Sequence, residues 1–203
     1  ILDHLDEHSL AEDTLIFFTS DNGSLATSEG SPTCNAPLAE GKGWMYEGGT
    51  REPLMVRWPG QIEAGSTCSV PVTSPDFYPT LLEMAGLDPI PQQHCDGVSI
   101  APLLHGKSSM EREAIFWHYP HYGNQGGTPG SSVRCGDYKL IEFFEEGQVE
   151  LYNLREDIGE DRDLYQSEPE TRARLHALLV EWRRSVEAKI PQPNPQWQPR
   201  DDR

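Results

Sequence analysis

The chain has 203 residues with 36% hydrophobic and 24% charged content, enough for one domain with a sizeable core and too apolar for disorder. Its net charge of −17, from 33 acidic and 16 basic side chains, disfavours nucleic acid and anionic membranes and favours cations. No apolar run approaches the roughly 20 residues that span a bilayer, so no membrane span is expected.

The first element is an amphipathic helix over residues 1 to about 10, with Ile1, Leu2, Leu5 and Leu10 set among acidic residues. The chain starts inside this helix and without a Met, so it reads as the C-terminal part of a longer protein. An unbroken apolar run, Thr14 to Thr19, follows. Helix followed by such a strand is the pattern of a parallel sheet buried on both faces. The run ends in Ser20-Asp21-Asn22-Gly23. Ligands bind at the carboxyl ends of strands in open α/β sheets, and a carboxylate beside an amide carbonyl offers hard oxygens to Ca²⁺ or Mg²⁺. Asp-Asn-Gly is also ordinary turn chemistry.

Residues 20 to 53 form a long loop, which in a compact domain carries function. It holds Gly41-Lys42-Gly43, a lysine with little cover of its own that can lie against an anion or stay solvated, and Gly48-Gly49, which permit positive φ or close backbone approach. A strand over 53–60 stops at Pro59-Gly60. A helix over 74–86 is read with Ser74 as N-cap, Pro75 in the first turn and Gly86 at its end. Ile100–Leu104 reads as one helical turn.

From about residue 108, four short aromatic and β-branched runs (114–119, 131–134, 138–144, 149–153) predict a small antiparallel sheet, with a hairpin at Glu145-Glu146-Gly147. Within the first run, His118 and His121 stand among aromatics. That grouping suits a sugar or aryl ring with an anionic substituent, or equally a half-buried aromatic hairpin with surface histidines. A helix follows over Pro169 to about Lys189, with Leu175, Leu178, Leu179 and Trp182 on one face. Four cysteines at 34, 68, 95 and 135 lack the spacing of a zinc site and allow either two disulfides or free thiols. The expected organisation is an α/β portion over 1–107, an antiparallel sheet with one helix over 108–190, and a Pro-rich extended tail over 191–203.

In order, SDNG at 20–23, GKGWMYEGGTREP at 41–53, the following WPG, SPDFYPTLLEMAG at 74–86, DGVSIAPLLHG at 96–106 and GDYKLIEFFEEGQVELYNLREDIGE at 136–160 together resemble the C-terminal part of a type I, formylglycine-dependent sulfatase of the alkaline phosphatase superfamily. The resemblance implies an alkaline-phosphatase-like α/β sandwich followed by the small antiparallel subdomain. It implies that Asp21 and Asn22 are two ligands of a catalytic Ca²⁺. Lys42 would bind a sulfate oxygen and stabilise charge on the leaving group, and His118 and His121 would reach the substrate from the C-terminal subdomain. The family's nucleophile, a formylglycine made in a C/S-x-P-S-R motif, has no counterpart here, nor do the aspartates that complete the calcium site; both are expected upstream. The implied substrate is a sulfated glycan or aryl sulfate, and the implied compartment periplasmic, extracellular or lysosomal. This chain alone is expected to be inactive. A phosphodiesterase or phosphonate hydrolase of the same superfamily, or a non-catalytic glycan- or cation-binding relative, are the alternative readings.

Overall fold

The computed structural model describes residues 1–26, 30 and 32–197. The chain folds into two units, one made of Ile1–Asn22 with Arg51–Ile115, the other of Gly23–Thr50 with the chain from Phe116 onward.

In the first unit, helix α1 (Leu2–Glu7) precedes strand β1 (Ile16–Thr19), which pairs with β2 (Leu54–Arg57). The pairing is antiparallel, Ile16 opposite Arg57 and Thr19 opposite Leu54, so the parallel arrangement expected for β1 is not found among the described residues. An apolar run reports that a strand is buried but not its direction; here the chain reverses before β2, and reversal makes the pair antiparallel. Burial on both faces is also not found, because Phe18 and Met55 face each other across the ladder and both are exposed.

The helix expected over 74–86 is a 3₁₀ turn (Ser74–Asp76) running into α3 (Phe77–Met84). Its cap is Thr73 rather than Ser74. Thr73 and Asp76 form a capping box, the Thr73 amide donating to Asp76 Oδ2 at 2.7 Å. Asp76 is wholly buried and multiply satisfied: the Val98 amide donates to it at 2.9 Å, and Arg112 grips both its oxygens. One turn on, the Thr80 hydroxyl donates to the Asp76 carbonyl at 2.6 Å and accepts from the Ile100 amide at 2.9 Å. These bonds tie the start of α4 (Ala101–Leu104) to α3, with Ile100, Ala101 and Leu103 buried.

The second unit holds the four-stranded sheet in the order β3 (Ile115–Tyr119), β4 (Gly130–Cys135), β5 (Tyr138–Phe143), β6 (Val149–Asn153). The pairs β4–β5 and β5–β6 are antiparallel, as the hairpin signals predicted. Cys135 pairs with Tyr138 across a two-residue turn in which Gly136 takes φ +60°. That left-handed backbone matches the twist of the strands and is open to glycine at no steric cost. Helix α5 (Pro169–Ser185) packs on β4 and β5 with Leu175 and Leu179 fully buried, and Trp182 stacks on Phe116 at 4.8 Å between ring centroids. Residues 191–197 form no helix or strand and are exposed; the end of the expected tail, 198–203, lies outside the described residues. The four cysteines are free thiols. Among the described residues no helix is long and apolar enough to cross a membrane.

The short helix α2 (Glu47–Thr50) sits inside the long loop and is held to the sheet by a buried ionic cluster. Lys139 of β5 is fully buried; its Nζ donates to Glu47 Oε1 at 3.0 Å and lies 3.2 Å from Glu160. Arg134 approaches the other Glu47 oxygen at 3.5 Å. Glu160, at φ +55°, also accepts the Glu47 amide at 2.6 Å, so one carboxylate both pairs the lysine and caps α2. Two cations thus balance two carboxylates away from water, the condition under which buried charges are tolerated. Burial raises the Glu160 carboxyl above its ordinary range, and the Lys139 charge pulls it back down.

Next to this cluster, Tyr46 and Tyr152 each donate to Glu150 Oε2 at 2.8 Å. Burial, then the bond to the Glu150 carboxylate, raises both phenols well above the usual tyrosine range. The folded state therefore holds these protons more tightly than the unfolded chain, whose tyrosines ionise near pH ~10. The stabilisation is complete below that pH and is lost as pH rises above it. In a spectrophotometric titration at 295 nm these two tyrosines should ionise last, and only as the fold melts.

Candidate active site

Asp21 and Asn22 stand just beyond the carboxyl end of β1, Asp21 exposed and Asn22 half-buried. The Ser20 hydroxyl donates to the Asn22 carbonyl at 2.9 Å and shapes the turn. The structure adds a residue that sequence reasoning missed. Glu52, at the entry to β2, has its carboxyl raised first by burial and then by the charge of Asp21. Its Oε1 is buried with no hydrogen-bond partner among the described residues. Two neighbouring carboxylates, one carrying an unmatched buried oxygen, are a cost unless a cation joins them. The donors Asp21, Asn22 and Glu52 are all hard oxygens, so the residues present fit Ca²⁺ and do not resemble a soft-metal site. The only sequence signal for Glu52 was its place directly before Pro53 at the start of the strand.

Gly23 directly follows the Asp21-Asn22 pair. Its backbone is not left-handed; instead a Cβ there would collide with the Gly48 carbonyl, and its amide donates to the Gly49 carbonyl at 3.3 Å. Gly48 and Gly49 serve the same end: side chains there would strike the carbonyls of Ala39 and Trp44. Gly23, Gly48 and Gly49 are thus needed for close backbone approach rather than for a left-handed backbone.

That packing gives Lys42 a fixed base. Its amide donates to the Ser24 carbonyl at 3.1 Å, and the Asn35 side-chain amide donates to the carbonyls of Ser24, at 3.0 Å, and Glu40, at 2.8 Å. The Lys42 ammonium has no ion pair or hydrogen bond among the described residues, and the residue is half-buried. A lysine with an anchored backbone and an unengaged head is placed to meet an incoming anion.

The loop after His121 closes on this one. Gly127, at φ +73°, lies so near the Gly43 carbonyl that a Cβ would collide with it. A Cβ on Gly126, at φ +101°, would stand 2.6 Å from Trp44 Nε1. The structure thereby joins the Lys42 loop to the segment carrying His121, two stretches far apart in sequence. Gly127→Ala incurs both left-handed strain and a backbone clash, and should destabilise this unit by on the order of 1–3 kcal/mol, read as a lowered Tm.

The two histidines differ. His118 is half-buried, with Nδ1 2.7 Å from the Ser131 hydroxyl and Nε2 2.9 Å from the Lys189 carbonyl, so both ring nitrogens are engaged within the protein. His121 is exposed, edge-on to Tyr119 at 5.3 Å, with Tyr119 and Tyr122 exposed beside it. Such aromatic faces with an imidazole suit a sugar ring.

The first unit thus presents hard oxygens at the end of β1, and the second presents a lysine with an anchored backbone on a glycine-packed loop. Residues 40–185 match the C-terminal family of N-sulphoglucosamine sulphohydrolase, and the chain belongs to that family. It is 41% identical over 170 residues to a sulfatase of Formosa agariphila, covering 79% of this chain and 30% of that protein. It is 40% identical over 141 residues to human arylsulfatase A, covering 69% and 27%. It superposes with a TM-score of 0.77, at 28% identity, on a solved protein in complex with its substrate D-glucosamine-2-N,6-O-disulfate, covering 94% of this chain and 38% of that one. The chain thus spans well under half the length of these relatives. Its fold is the C-terminal portion of the sulfatase α/β fold followed by a small antiparallel sheet with one helix.

Proposed function

We propose that the protein to which this chain belongs is a sulfuric ester hydrolase that removes sulfate from a sulfated carbohydrate or an aryl sulfate, with Ca²⁺ and an upstream formylglycine as its cofactor and nucleophile. The observation that carries this reading is the crowding of Asp21 and the unpartnered buried Glu52 oxygen at the end of β1, in a chain of this family. Asp21 and Asn22 would hold the calcium, with Glu52 close behind. Bound calcium supplies positive charge for the sulfate oxygens. Lys42 donates a hydrogen bond to a sulfate oxygen and steadies the charge that grows on the departing alcohol oxygen, its anchored backbone sparing it reorganisation. His121, with Tyr119 and Tyr122, offers a face for the sugar ring; His118 would reach substrate only by giving up one of its present bonds. The solved relative that binds a disulfated glucosamine supports the carbohydrate class. Such a polar, sulfated substrate fits an exported enzyme, periplasmic, extracellular or lysosomal.

The test uses the full-length protein. Chelation should abolish hydrolysis of an aryl sulfate, and Ca²⁺ should restore it. Asp21→Asn should raise the calcium needed for half-maximal rate by on the order of tenfold. Matched phosphate esters should turn over more slowly than the sulfates. Hydrolysis indifferent to chelation, or faster on the phosphate ester, would overturn the reading.

A further inference from the structure

A second cluster of metal-ligating side chains lies on α1 and on His8, the residue that caps its C-terminus, none of which the sulfatase reading uses. His4, Glu7 and His8 are all exposed, and one ligand atom from each lies within 4.8 Å of the others. The spacing is helical: positions i, i+3 and i+4 stack on one face, one turn apart. The imidazole rings stand 4.1 Å apart between centroids, tilted by 47°.

The His8 ring is also held in a defined tautomer. Its Nδ1 lies 2.9 Å from the His4 carbonyl oxygen. A carbonyl only accepts, so Nδ1 carries the hydrogen and Nε2 the free lone pair. A ring N–H donated to a backbone carbonyl, with the opposite nitrogen left open, is the arrangement that orients metal-binding histidines. The neighbouring charges favour a cation. Asp6 is engaged by Arg57 at 3.3 Å, whereas Asp3 adds negative charge on the same helix of a chain carrying −17 overall.

We propose that His4, Glu7 and His8 form a surface site for one divalent transition-metal ion of the copper, nickel or zinc class. Two imidazole nitrogens with one carboxylate oxygen are borderline donors. They select such ions over the hard Ca²⁺ and Mg²⁺, and three ligands leave coordination positions open to water or to a further group. The site is separate from the hard-oxygen half-site at Asp21 in both residues and ligand chemistry. Its test reads metal binding and no sulfate hydrolysis, so either reading can fail without the other.

The experiment is a Cu²⁺ titration of the chain with its four cysteines alkylated, followed by electron paramagnetic resonance. One equivalent should bind and show superhyperfine coupling to two imidazole nitrogens, and a large excess of Zn²⁺, but not of Ca²⁺, should compete it off. His4→Ala and His8→Ala should each weaken binding by roughly tenfold or more and remove one nitrogen from the spectrum, and Glu7→Gln should weaken it less. His105→Ala, at an exposed histidine outside the cluster, should change nothing. The three side chains are exposed, so the variants should keep the parent circular dichroism. A His4→Ala/His8→Ala chain that binds copper as tightly as the parent, or a parent spectrum without two coupled nitrogens, would overturn the proposal.

Discussion

Lys42→Ala in the full-length enzyme should lower kcat/KM on an aryl sulfate by roughly 10²–10³-fold, the loss typical of one preorganised donor aimed at developing charge. The expectation rests on the contrast between the two ends of this residue. Its backbone is fixed by the Ser24 carbonyl and by glycine packing on both sides, while its ammonium is unengaged among the described residues. A group with no structural duty can be removed at little cost in stability, so the Tm of the variant should stay near that of the parent. If Lys42 has the proposed role, the loss should fall mainly in kcat, because an interaction made with charge that grows in the transition state is absent from the ground state. Lys42→Arg keeps the charge but not the compact point geometry and should recover only part of the rate. Equal rates for Lys42→Ala and parent would remove the lysine from the chemistry.

What was legible in the sequence was local placement: Asp21 and Asn22 just past the end of a strand, Lys42 on a loop between two glycines, and the four short runs that became β3 to β6. What was not legible depends on contacts between distant residues. Glu52 gains meaning only from the proximity of Asp21 and from the burial of Oε1, neither of which leaves a local signal. Gly126 and Gly127 read as loop glycines until the fold brings them against Gly43 and Trp44. The direction of β1 was misread because an unbroken apolar run looks the same in parallel and antiparallel pairs. Thr73, not Ser74, became the cap because Asp76 three residues on completes a box with it, a relation open to reading in T-S-P-D but overshadowed by the Ser-Pro pair. Lys139, in Tyr-Lys-Leu-Ile-Glu-Phe, looks like the polar position of an alternating strand, yet it is fully buried, because Glu47 and Glu160 arrive from segments 92 and 21 residues away by number (139 − 47 and 160 − 139).

Lys139 therefore carries the second large expectation. Lys139→Met fills much of the same volume but strands Glu47 and Glu160 without their shared cation. Breaking a buried pair from one side costs about 3–5 kcal/mol, most of it the penalty of an uncompensated buried charge. Denaturant melts should show that loss as a lower midpoint with little change in slope. The pH dependence identifies the cause. Burial already raises the Glu160 carboxyl, and the Lys139 charge is what opposes the rise, so in the variant Glu160 should hold its proton to higher pH. A carboxyl raised in the folded state binds more protons there than in the unfolded chain. The variant should then gain stability as pH falls through that raised value towards the unfolded carboxyl near ~4.3. The gap between variant and parent should narrow in acid, and Glu160→Gln added to Lys139→Met should recover part of the loss at neutral pH. A purely steric defect would show neither effect. Because Glu160 also caps α2 through the Glu47 amide, and α2 closes the loop that bears Lys42, the same variant should lower kcat in the full enzyme by loosening that lysine's base. A variant that melts early yet keeps its kcat below the melting temperature would show that the cluster holds the fold without positioning Lys42.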